Sequence, residues 1–102
     1  MDSRKLELVT DFYELTMSNC YFAKNIQDTI AYFDVFFRKI PDEGGYVIFA
    51  GLEQVIDYVK NLKFDEDDIS YLKGLNKFSD EFLNYLKSFK FTGTIWAVPE
   101  GT

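Results

Sequence analysis

Thr29-Ile30-Ala31-Tyr32-Phe33-Asp34-Val35-Phe36-Phe37-Arg38-Lys39-Ile40 is the stretch on which the reading of the fold turns. Here the hydrophobic period changes from helical to alternating. Ala31, Phe33, Val35 and Phe37 form one apolar face. Ile30, Tyr32, Asp34, Phe36 and Arg38 form the other, largely apolar but carrying two opposite charges. Aromatic and β-branched residues in strict alternation predict a long strand over Thr29–Ile40, covered on one side. Pro41 ends it, because proline cannot donate to a ladder.

Helical signals flank this stretch. Upstream, Leu8-Val9-Thr10-Asp11-Phe12-Tyr13-Glu14-Leu15-Thr16-Met17 reads as a capped helix start. Asp11 is placed to accept from first-turn N–H groups, and Glu14, three residues on, to close a capping box. The helix is expected over Phe12–Lys24. Phe12, Leu15 and Phe22 mark one face and Tyr13, Met17, Cys20 and Tyr21 another, so burial on two sides is expected. Tyr13 stands out: a ring in the first turn, beside a carboxylate, where orphan N–H groups favour a flat anionic ligand.

Downstream, Asp42-Glu43-Gly44-Gly45 is a turn, and a lone Gly-Gly pair is weak evidence for a phosphate cradle. Tyr46–Ala50 suits a strand by propensity. Ile48, Phe49, Leu52, Val55, Ile56, Val59 and Leu62 nevertheless fall on one helical stripe, which predicts a helix over Gly45–Asn61 with Gly51 inside it. Two short helices follow. Asp65 caps the first, between Phe64 and Ile69, and Gly74 lies near its end. Ser79 caps the second, between Phe78 and Leu83. The run Asp65-Glu66-Asp67-Asp68 lacks the alternating ligands and central glycine of a calcium loop. Thr92–Val98 returns to alternation and predicts a second strand, with Pro99-Glu100-Gly101-Thr102 as a turn after it. The fold class expected is α+β in one domain over residues 1–102.

Composition narrows the function. The 102 residues carry a net charge of −6, which disfavours nucleic acid and anionic membranes as partners. Nineteen per cent are aromatic, more than so short a chain easily buries, so a partner surface is expected. A single cysteine, Cys20, excludes an internal disulfide and suits a reducing cytoplasm. Met1-Asp2-Ser3-Arg4-Lys5 leads into no apolar run, so no signal peptide or membrane span is read. There is no histidine. Ser-His-Asp and Cys-His catalysis are therefore excluded within the chain, along with most zinc sites.

The order of the blocks resembles a known family. Thr10-Asp11-Phe12-Tyr13-Glu14-Leu15-Thr16-Met17, then Phe36-Phe37-Arg38-Lys39, Gly44-Gly45-Tyr46 and Phe49-Ala50-Gly51-Leu52-Glu53 resemble the start of nicotinate phosphoribosyltransferases. Tyr85-Leu86, Phe91-Thr92-Gly93 and Pro99-Glu100-Gly101-Thr102 continue the match. The family enzyme is several times longer. What the resemblance implies is an N-terminal domain, the part that precedes an α/β barrel. The reaction it implies joins nicotinate to phosphoribosyl pyrophosphate, giving nicotinate mononucleotide and pyrophosphate. It further implies coupling to hydrolysis of ATP, with Mg, and a homodimer whose active site is shared between subunits. On this reading Tyr13 stacks on the pyridine and Asp11 orients it or a substrate polar group. Arg38 meets phosphate. Capping, core packing and a solvated strand end are the structural alternatives for these three, with Asp34 as a salt-bridge partner for Arg38. No residue of the chain is read as catalytic or as a metal ligand. The alternatives are a nicotinamide-type phosphoribosyltransferase segment, and a non-catalytic module for pyridine binding or dimerisation.

Overall fold

Four α-helices build the chain in its computed structural model, which describes residues 6–102. They are α1 (Phe12–Ala23), α2 (Leu52–Lys60), α3 (Glu66–Gly74) and α4 (Asp80–Lys87), with a 3-10 turn at Pro41–Glu43. The reading of Met1–Lys5 lies outside the described residues. The fold is all-helical, and the expected α+β class is not found. Among the described residues there is no strand, neither over Thr29–Ile40 nor over Thr92–Val98. The reason is physical. A strand exists only through a partner's ladder, whereas alternation specifies which side chains share a face. Among the described residues no backbone–backbone hydrogen bond is made by Ile30–Ile40 or by Lys90–Val98.

The core lies between α3 and α4. Phe64, Ile69, Leu72, Phe82, Leu83 and Leu86 are buried, with Leu72 and Phe82 only 1% exposed. Both helix starts are built as their sequences require. Asp65 accepts from the Asp68 N–H at 2.9 Å while the Asp68 carboxylate accepts from the Asp65 N–H at 3.1 Å, closing a capping box. The Ser79 hydroxyl accepts from the Phe82 N–H at 3.1 Å. Phe64 and Ile69 are buried on either side of the first cap, as a hydrophobic staple demands.

Helix α1 rests on α4 along one face. Leu15 and Phe22 pack against the core, and the Phe22 ring lies 4.9 Å from Tyr85 and 5.9 Å from Phe82. The Phe12 ring meets Phe78 edge-on at 5.9 Å. Such ring pairs contribute about 0.5–1.5 kcal/mol each beyond area burial. Asn19 Oδ1 accepts from the Ser79 N–H at 3.2 Å, tying α1 to the cap of α4. The opposite face of α1 is uncovered: Tyr13, Met17, Cys20 and Tyr21 are exposed, so burial on two sides does not occur within the chain.

Helix α2 also departs from expectation. It begins at Leu52 and not at Gly45, because Gly51 has φ 105° and breaks the helical path. Tyr46–Ala50 therefore lies outside the helix, despite the apolar stripe that runs through it. The radius of gyration is 16.3 Å, against about 13 Å for a compact chain of about 100 residues.

Candidate functional site

A helix that starts at a glycine has no side chain to satisfy its first N–H groups. In α2 this is solved from a distance. The Glu100 carboxylate accepts from the Gly51 N–H at 2.8 Å through Oε1 and from the Leu52 N–H at 3.0 Å through Oε2. These two bonds, Gly51 first, hold the Glu100 carboxyl below the usual carboxylate range, against a small opposing effect of desolvation. A second tie lies beside it. The Gly101 N–H donates to Phe49 C=O at 2.8 Å, and the Phe49 N–H donates to Thr102 C=O at 2.7 Å. Two residues thus face one, the geometry of a glycine bulge, and Gly101 has the required left-handed φ of 86°. The Thr102 N–H closes the turn on Pro99 C=O at 3.2 Å.

Glu100 is the residue that sequence reasoning missed. It was legible only as one member of a turn. The available signal was the uncapped Gly51-Leu52 start, which requires an acceptor from elsewhere.

The three residues singled out from sequence sit in two places. Tyr13, in the first turn of α1, is 58% exposed and has no ring partner among the described residues. Asp11 holds the N-cap position with extended backbone, yet its side chain makes no cap hydrogen bond. The expected capping box is therefore not formed. The Thr10 hydroxyl donates to the Glu14 carboxylate instead, so Glu14 is engaged and Asp11 is left facing solvent. The backbone C=O of Asp11 accepts from the Glu14 N–H at 3.0 Å. Arg38 lies on the exposed Ile30–Ile40 segment. Among the described residues no hydrogen bond or ion pair joins Arg38 to Asp34, Asp11 or Tyr13, so Tyr13 and Asp11 share a corner that Arg38 does not complete.

Around Arg38 the surface is apolar. Ile30, Tyr32, Phe33, Val35, Phe36 and Phe37 are all exposed, Val35 fully so at 105%. Trp96, at 99%, is equally uncovered on the segment before the Glu100 turn. Tyr58 of α2 has its phenol pushed up, first by burial and then by the nearby Glu7 charge. No helix among the described residues is long and apolar enough to cross a membrane.

The described residues thus present a small helical core, an open Tyr13–Asp11 corner and a broad uncovered aromatic surface. The chain matches the model of the nicotinate phosphoribosyltransferase (NAPRTase) N-terminal domain over residues 8–102, and it belongs to that family. It is 48% identical over 95 residues to nicotinate phosphoribosyltransferase pncB2 of Mycobacterium tuberculosis, covering 93% of this chain and 20% of that protein. It is 41% identical over 96 residues to nicotinate phosphoribosyltransferase of Bacillus subtilis, covering 94% of this chain and 20% of that one. The Caenorhabditis elegans nicotinate phosphoribosyltransferase is 41% identical over 104 residues, with 99% of this chain and 18% of the relative covered. The chain thus spans about a fifth of the length of the curated relatives it matches.

Proposed function

We propose that residues 1–102 act as the N-terminal domain of a nicotinate phosphoribosyltransferase in the cytoplasm. The longer enzyme makes nicotinate mononucleotide and pyrophosphate from nicotinate and phosphoribosyl pyrophosphate with ATP hydrolysis, and this chain by itself is inactive. The observation that carries the reading is the family match over residues 8–102, at about a fifth of the relatives' length.

In this role Tyr13 offers the open face of its ring to the pyridine. As the ring nitrogen attacks the anomeric carbon and pyrophosphate departs, positive charge builds on the pyridine. An electron-rich aromatic face stabilises that charge by offset stacking and cation–π attraction. Asp11 has an uncommitted carboxylate in the same corner, free to orient a substrate polar group. Arg38 approaches phosphate with a planar, permanently charged fork suited to two parallel hydrogen bonds. The exposed apolar segments are covered by the barrel domain and by the partner subunit of a homodimer, which complete the site. ATP and Mg act elsewhere in the longer enzyme.

The test places residues 8–102 in the Bacillus subtilis enzyme in place of its matching fifth. Tyr13→Ala in this chimera lowers kcat/KM for nicotinate by about a hundredfold and Tyr13→Phe by less than about threefold, the scale of a lost transition-state contact. Equal losses from the two substitutions would overturn the stacking role. Arg38→Ala raises KM for phosphoribosyl pyrophosphate and leaves that for nicotinate in place.

A further inference from the structure

A cleft of about 500 Å³ opens where α2 and α4 end, and four of its lining residues are Lys60, Lys63, Lys87 and Lys90. These are four of only 11 basic residues in a chain of net charge −6, yet no carboxylate lines the cleft. Among the described residues none of the four is held in an ion pair. The lysines come as two copies of one pattern, Lys60-Asn61-Leu62-Lys63-Phe64 and Lys87-Ser88-Phe89-Lys90-Phe91, each running off the end of a helix.

Helix dipoles favour a cation in the last turn, which accounts for Lys60 and Lys87. That argument does not reach Lys63 and Lys90, which lie three residues farther on and outside the helices. The negative ends of the two helices are also muted where they meet the cleft. Asn61 Nδ2 donates to Asp57 C=O at 2.9 Å, and the Ser88 hydroxyl donates to Tyr85 C=O at 3.3 Å. Two exposed lysine pairs thus line the cleft, with no carboxylate among its described lining residues and Asp57 reaching it only through Asn61.

We propose that this cleft binds a diphosphate group, one phosphate to each lysine pair. Lysine meets phosphate as a strongly charged donor with three N–H groups, and the doubled pattern supplies two equivalent positions. The volume falls within the range of small-molecule sites and exceeds what a single phosphate fills. Inorganic pyrophosphate and a nucleoside diphosphate share this chemistry.

The test titrates the 102-residue chain with pyrophosphate, with ADP and with adenosine, following backbone amide shifts. Saturable shifts confined to residues 60–63 and 87–91 are expected with pyrophosphate and ADP, and none with adenosine. Lys63→Gln with Lys90→Gln weakens binding by about tenfold or more, since two charge-assisted contacts are removed. Lys24→Gln with Lys77→Gln, the same charge change outside the cleft, leaves it unaltered. Tighter binding of ADP than of pyrophosphate identifies the nucleotide as the fitting source, and the reverse order the inorganic ion. Absence of saturable shifts, equal weakening by both double variants, or binding of adenosine as tight as that of ADP would overturn the proposal. None of these readouts depends on nicotinate turnover.

Discussion

The α3–α4 pair and the Ile30–Phe37 segment have the same kind of sequence and opposite fates. Both are dense in Phe, Tyr, Ile and Leu or Val. In the helix pair Ile69, Leu72, Phe82, Leu83 and Leu86 are buried, down to 1% exposure at Phe82, and each cap accepts from a residue three positions away. In the Ile30–Phe37 segment the side chains are out in solvent and, among the described residues, the backbone is bonded to no other backbone group. A helix satisfies its backbone within itself, so a hairpin of two helices needs only a shared apolar face. A strand owes every ladder bond to a neighbour. The chain covers its own apolar residues in the α3–α4 pair and leaves them exposed over Ile30–Phe37.

The largest expected effect falls inside the hairpin. Phe82→Ala empties the best-buried ring position and should cost about 3–5 kcal/mol, enough to unfold a domain with a core this small. Denaturant titration followed by far-UV circular dichroism measures it. Survival of cooperative unfolding at the parent midpoint would mean that the hairpin is not the stabilising unit.

A smaller and local effect is expected at the Glu100 latch. Its carboxyl is depressed in the folded chain, so the stability it lends is present above the ordinary carboxylate range. That contribution is lost as pH falls through the lowered value. Glu100→Gln should remove this acid dependence and speed amide exchange at Gly51 and Leu52, with α3 and α4 unaffected. Unchanged exchange at both amides would show that α2 is capped without Glu100.

The smallest effect is expected on the exposed segment. Phe36→Ala in the 102-residue chain should change unfolding free energy by less than about 0.5 kcal/mol, as for surface positions without partners. A loss comparable to that of Phe82→Ala would erase the contrast between the two regions.

What was legible in the sequence follows the same division. The Asp65 and Ser79 starts and their staples were readable because cap and partner lie within four residues of each other. Helix α1 was readable from its period and Asp11 holds its N-cap position, although the side-chain capping bond is not made and Thr10 and Glu14 interact instead. The start of α2 was misread because its apolar stripe runs on through Tyr46–Ala50, while the residue that determines the break is Gly51 and its acceptor is 49 positions away. The alternation at Thr29–Ile40 and Thr92–Val98 correctly marked apolar faces but could not supply a partner. Of the candidate site, Tyr13 stands exposed in the first turn of α1, and among the described residues no hydrogen bond or ion pair brings Arg38 to it.

Nicotinate mononucleotide formation is the direct test, measured for the 102-residue chain alone and for the Bacillus subtilis enzyme carrying residues 8–102 in place of its own matching fifth. The chain alone is predicted to make none, and the chimera to turn over nicotinate with phosphoribosyl pyrophosphate and ATP. Product from the isolated chain, or a folded chimera without activity, would contradict it.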